Sequence, residues 1–277
     1  MTLLARNNCF KGGIIFAALS LCLAVIGGFF AFPLLSEVSA SAVMRSGGFI
    51  LAFMENFAEP SAYVPFFTIL AAVVFSLVGM ILIYYFFEKT QSPEILFIAF
   101  FVISLAFELA RLAIPFRAAF PFSGLYLVGV SRVLFFGRYF GLLSLFAASI
   151  YAAGLQAQKQ QSLFLMLAIV ALVIAANVPV DSLSWDSAFR LMSGYRFMFD
   201  MVEIGIMVIT VFTFMVTAYT RGSRRYISIG IGVFMLFVGR NTMFHSDTWI
   251  SPIPGLALLA AGTWLVCSRL HQEYLWL

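Results

Sequence analysis

Residues 73–112 read VVFSLVGMILIYYFFEKTQSPEILFIAFFVISLAFELARL. Two long apolar runs flank a short polar stretch, EKTQSPE at 88–94, that carries turn chemistry. The first run begins at residue 63 and the second ends at 116. Each is long enough for the roughly 20 residues that a helix needs to cross about 30 Å of hydrocarbon. Lipid offers no partner to backbone amides, so only helices and closed barrels cross it. Barrel strands would alternate in polarity over about 10 residues, and these runs are continuous. The stretch is therefore a helical hairpin through a membrane.

The same ruler, moved outward, finds eight spans at 13–35, 63–87, 95–116, 126–153, 162–180, 197–219, 226–244 and 252–269. The fold class is an all-α, polytopic transmembrane helical bundle in a single domain, 1–277. It divides into a leading signal-anchor helix at 13–35, an outer segment at 36–62 and a seven-helix core at 63–269. Within the outer segment, FILAFMENF at 49–57 is amphipathic and is expected to lie along the membrane surface. Arg6 and Lys11 precede the first run, and ASA at 40–42 resembles a signal-peptidase site. A cleaved signal usually has an apolar region of about 7–15 residues, and the greater length of this run favours retention.

Composition agrees with a membrane protein. Of 277 residues, 63% are hydrophobic and 10% charged, and mean hydropathy is +1.04. Soluble domains carry about 25% charged residues. The formal charge of +4 includes no basic run longer than RGSRR at 221–225, which suits a cytoplasmic loop better than a nucleic-acid surface. The 33 phenylalanines suit a lipid-facing surface better than a platform for bases. Cys9, Cys22 and Cys267 have no CxxC spacing and fall in no outer loop, so neither a disulfide nor a thiolate metal site is expected.

Loop charge sets the expected orientation. With the N-terminus inside, Arg6, Lys11, Lys89, Lys159, Arg221, Arg224, Arg225 and Arg269 lie on the cytoplasmic side. Arg45, Arg117, Arg190 and Arg196 lie outside. The two-to-one bias places both termini in the cytoplasm of a bacterial-type inner membrane.

Charges inside the spans are the unusual feature, since each costs roughly 2.5–3.5 kcal/mol at a helix centre. Glu108 and Arg111 stand three apart and share a helix face; Arg196, Asp200 and Glu203 repeat the pattern. At about 1.5 Å per residue, Glu108, Arg132, Glu203 and Arg240 all fall about 20–21 Å above the cytoplasmic edge. Arg111 and Asp200 follow at about 24–25 Å. These six residues are expected to form one charged layer in the outer half, with Glu108 paired to Arg132 or Arg240 of another helix. Arg138, at about 12 Å, falls outside it. Such a layer is a salt-bridge lattice, the wall of a cavity open to the outside, or part of a proton or ion pathway, the last weakened because no matching acid sits in the inner half. Its arginines would recognise a carboxylate or phosphate.

Other chemistries find little footing. HExxH and GxSxG are absent, and His245 has only the distant His271 for company. No catalytic residue, metal or cofactor is expected, although a pocket joining His245 to Glu203 would favour an enzyme. GIGVFMLFVG at 230–239 supplies small residues for helix packing.

The paired spans at 73–112, with a leading helix and a seven-span core, resemble the seven-transmembrane sensor modules of the bacterial diverse intracellular signalling group. In that family an outer ligand-binding domain precedes the helices and a signalling domain follows. Here the outer segment is short and only HQEYLWL follows the last span. The resemblance implies a receptor-like module with a separate signalling or membrane protein as partner. The expected function is a non-catalytic receptor-like or partner-binding module, embedded in the lipid bilayer, that meets an anionic small molecule or lipid headgroup. A small transporter or lipid-handling carrier subunit is the alternative, favoured by discontinuous helices around a midplane site.

Overall fold

The structure, a computed structural model, describes residues 3–39, 61, 63–88, 92–116, 123–156, 159–180, 186, 188–191 and 194–274. Among these, eight helices are long and apolar enough to cross a membrane. They are α1 (Leu3–Ser39), α2 (Tyr63–Phe87), α3 (Pro93–Ser104, continuing as a 3₁₀ helix over Leu105–Ala113), α4 (Gly124–Ala152), α5 (Gln160–Asn177), α6 (Arg196–Arg221), α7 (Arg225–Phe244) and α8 (Pro252–Tyr274). The protein is an all-α polytopic bundle. Residues 40–60, which hold the expected interfacial stretch, lie outside the described residues.

Helix ends follow local chemistry. Ser92 caps α3: its Oγ accepts from the Ile95 amide at 3.4 Å, and Pro93 takes the first helical position, where no amide is needed. Gly222, at φ 62°, closes α6 in the left-handed region that glycine enters without cost. The first helix starts earlier than its apolar run because its polar turn finds partners. Arg6 donates from Nη2 to the carbonyls of Phe87 at 2.9 Å and Glu88 at 2.8 Å.

Those contacts define one end of the bundle. Phe87 stacks edge-on against His271 at 5.5 Å, and Arg225 reaches Glu273 at 3.1 Å. The starts of α1 and α7 and the ends of α2 and α8 thus meet at one end, called here the terminal end.

The interior helices are α3 and α4, with 72% and 78% of their spanning windows buried against 22–28% for α1, α5, α6 and α8. Small residues bring the helices together. A Cβ on Gly137 would sit 2.4 Å from Phe107 Cβ, so α4 touches the 3₁₀ segment there. Between α7 and α8, Gly232 faces Gly262 and Gly239 faces Gly255, each pair within 3.2 Å of the other's carbonyl oxygen if a Cβ is added. The glycines are seven residues apart in both helices, so they recur on one face and make a close antiparallel seam. In α1 the buried positions Phe10, Ala17, Ala24 and Ala31 repeat at the same interval and dock on α2 and the 3₁₀ segment.

A charged cavity at the end opposite the termini

The 3₁₀ segment positions the first charges. In a 3₁₀ helix, residues i and i+3 eclipse one another, and runs beyond three or four residues are uncommon. The nine-residue run Leu105–Ala113 therefore stacks Glu108 directly beneath Arg111. Arg111 Nη1 lies 3.1 Å from Glu108 Oε2, and both side chains are buried. Arg111 also donates from Nε at 3.0 Å, and from Nη2, to the carbonyl of Ala188.

That carbonyl is held in place by Asp186. Its Oδ1 accepts from the amides of Ala188 at 3.1 Å and Arg190 at 3.0 Å, and its Oδ2 accepts from Arg190 Nε at 2.8 Å. The turn drives the buried Phe189 to φ 53°, a strained value for a bulky residue. Burial alone would raise the Asp186 carboxyl, but the Arg190 guanidinium and the two amides outweigh it and hold it below its ordinary value.

A second buried pair joins α4 to α6, where Arg138 Nη2 lies 3.1 Å from Glu203 Oε2. Phe244, the last residue of α7, is the hub. The guanidinium carbons of Arg138, Arg190 and Arg111 lie 3.5, 4.9 and 5.2 Å from its ring centroid. Cation–π attraction offsets part of the cost of gathering cations there. Beside Phe244 opens a cavity of about 220 Å³ that Arg138, Arg190, Arg196, Asp186, Asp200 and Glu203 line together with His245. Burial and the charge of Arg190 push His245 down to about 4, so its imidazole is neutral. Its Nδ1 sits 2.9 Å from the Asn241 carbonyl.

Arg240 stands on the other side of Phe244. It is buried, and its Nη2 has no hydrogen-bond partner among the described residues. It lines a void of about 10 Å³ with Glu108, Arg111 and Thr68, about the room that one water requires. Among the described residues four ion pairs therefore serve this end, Arg111–Glu108, Arg138–Glu203, Arg190–Asp186 and Arg196–Asp200. Arg240 is left over.

Of the six residues expected in the layer, Glu108, Arg111, Glu203 and Arg240 are buried together at this end. Asp200 lies at the cavity rim, 3.8 Å from Arg196. Arg132 is an exception: it is exposed and makes no ion pair among the described residues. Nor does Glu108 pair across helices; its partner is Arg111 of its own segment. Arg138 replaces Arg132 because helix side chains lean toward the N-terminus. The N-terminus of α4 is at the cavity end, so Arg138 reaches up to the layer that its Cα depth alone excludes. Arg190 and Asp186 come from a connector, where only a charged i,i+4 pair near span ends could have signalled them.

Among the described residues, no three His, Cys, Asp or Glu side chains converge as metal ligands would. No protein-family model matches the chain, and no curated protein matches it.

Proposed function

We propose that the protein is a non-catalytic, receptor-like membrane module whose cavity binds a small anionic group, a carboxylate or phosphate, free or on a lipid headgroup. The observation that carries this reading is the gathering of Arg111, Arg138 and Arg190 on one Phe244 ring, with Arg240 unpaired behind it. A structural lattice needs only matched pairs; a guanidinium in excess of the carboxylates around it leaves net positive charge next to the cavity, which favours an anion there. Two-to-one loop charge supports cytoplasmic termini in a bacterial-type inner membrane and hence an outward-facing cavity. A separate signalling or membrane protein would carry the response. His245 and Glu203 do share the cavity, the arrangement that would favour an enzyme. A histidine with a pKa near 4 is, however, a weak base at neutral pH.

The test is thermal unfolding in detergent against a panel of small carboxylates and phosphates at constant ionic strength. At least one should raise the melting temperature of the wild type and not of Arg138→Gln or Arg190→Gln. Equal response to every anion, and in both variants, would sink the reading.

One observation favours transport as the second reading. The 3₁₀ run that carries Glu108 and Arg111 breaks the regular winding of α3 at the charged site, and interrupted helices line the sites of many transporters. Counterflow of a labelled anion in proteoliposomes would decide for it.

A further inference from the structure

Larger than the charged cavity is a groove of about 630 Å³ on the flank of the bundle, walled by α1 and α5 and floored by α3 and α4. Its floor is a run of touching rings. Phe16 meets Phe107 at 5.2 Å, Phe107 meets Phe136 at 5.5 Å, Phe136 stacks on Phe140 at 5.6 Å, and Phe140 and Phe164 both meet Phe100, at 5.8 and 4.8 Å. On the α1 wall a Cβ at Gly12 would meet nothing within 4 Å. The space is open, not closed by packing.

We propose that this groove holds one acyl chain of an anionic phospholipid of the terminal-end leaflet. Three features point to that occupant. The lining is apolar and aromatic along its length, with carboxamides only at one end, those of Gln160 and Gln161 in the first turn of α5. That gradient matches an amphiphile entering chain first. Next, the groove runs on α3 from Leu96 to Phe107, a rise of about 16–17 Å, or half of a 30 Å slab. One leaflet's chain has that reach, whereas a second transmembrane helix would need a face through both leaflets. Finally, Lys11 and Lys159, both exposed, stand next to the groove residues Gly12 and Gln160 at the mouth. Basic residues near a membrane surface attract anionic headgroups, and lysine stems extend along lipid toward headgroups.

Delipidated protein in a neutral detergent would be titrated with phosphatidylglycerol or phosphatidylcholine while its melting temperature is followed. Phosphatidylglycerol should raise the wild-type value by several degrees more than phosphatidylcholine. Ala168→Phe and Gly12→Leu fill the groove from opposite walls, and either should abolish the increment for both lipids while leaving lipid-free melting within a degree or two. Lys11→Gln with Lys159→Gln should equalise the two lipids. Should one filling variant fail to fold, the other and the lysine pair still decide. Equal stabilisation of wild type by both lipids, or an undiminished increment in the filled variants, overturns the proposal. So does efficient Cys9–Cys9 disulfide formation in membranes of a Cys22→Ser, Cys267→Ser protein, because Cys9 lines the groove and the occupant would then be a second copy.

Discussion

Arg138 of α4 and Glu203 of α6, 65 residues apart in sequence, meet at 3.1 Å with both side chains almost wholly out of contact with solvent. Among the described residues they are the one buried ion pair at the cavity that ties two helices together, so they couple the packing of α4 and α6 to whatever enters beside them.

Breaking the pair from one side should therefore be severe. Glu203→Ala leaves a buried guanidinium with no counter-charge, a change that costs about 3–5 kcal/mol in soluble proteins. Replacing both partners with apolar residues, Arg138→Met with Glu203→Leu, should recover most of that loss. Melting temperatures of the two singles and the double form the cycle that checks it. Strict additivity would show that the two side chains are not coupled.

How far the sequence reached this site depends on what kind of contact is involved. Run lengths located the spans to within a few residues, apart from the N-terminal ten of α1, because hydrocarbon thickness dictates them. Glu108 and Arg111 share a face in an α-helix or a 3₁₀ helix, so their proximity was readable from spacing alone. The 3₁₀ winding itself leaves no mark in an apolar pattern. Cα depth favours Arg132 over Arg138, but a long arginine side chain leans toward the helix start, and that lean brings Arg138 to the layer. The Ala188 carbonyl on Arg111 joins residues 77 apart through a connector, and no local pattern encodes that.

The seam between α7 and α8 depends on having no side chain at Gly239. A Cβ there would stand 2.8 Å from the Gly255 carbonyl oxygen and 2.9 Å from the Leu259 amide nitrogen, both backbone atoms. Gly239→Ala should then push the helices apart and cost about 1–3 kcal/mol, as overpacking does. Gly205→Ala, where nothing lies within 4 Å, is the control and should be neutral or slightly stabilising. If both variants melt alike, the seam is not tight.

Stability should fall as the medium is acidified through the range in which His245 resists protonation. Its pKa is about 4 in the folded protein against 6.5 ordinarily, through burial and the nearby Arg190, Arg138 and Arg196. Between those values the unfolded chain binds more protons than the folded one, so stability rises with pH. The contribution is complete above about 6.5 and is lost as pH drops toward 4. His245→Gln cannot titrate and should flatten the melting-temperature profile from pH 6.5 to 4.5. An unchanged slope in that variant would falsify the assignment to His245.

Orientation in the bilayer can be read with single cysteines in a Cys-free background. Ser223 lies between α6 and α7 at the terminal end, and Thr248 between α7 and α8 at the cavity end. A membrane-impermeant maleimide added to intact cells should label Thr248→Cys and spare Ser223→Cys until the cells are opened. The reverse pattern would put the charged cavity on the cytoplasmic side.

Arg240 separates a lattice from a binding site. Every other arginine of the buried cluster has a carboxylate within 4.0 Å, and Arg240 has none among the described residues. Among those residues its Nη2 lacks even a neutral acceptor. A buried charge without a counter-charge is unfavourable, so Arg240 is a destabilising group unless an anion offsets it. Arg240→Met keeps the length of the stem and removes the charge, and it should raise the melting temperature in the absence of anions. The same variant should lose much of the response to whichever carboxylate or phosphate stabilises the wild type, because the excess positive charge that attracts the anion is gone. A lattice in which Arg240 is an essential brace would behave in the opposite way, with the ligand-free protein destabilised and the anion response intact. Measuring both quantities on one variant therefore decides between the two, since stabilisation and loss of binding must appear together for the cavity to be a site.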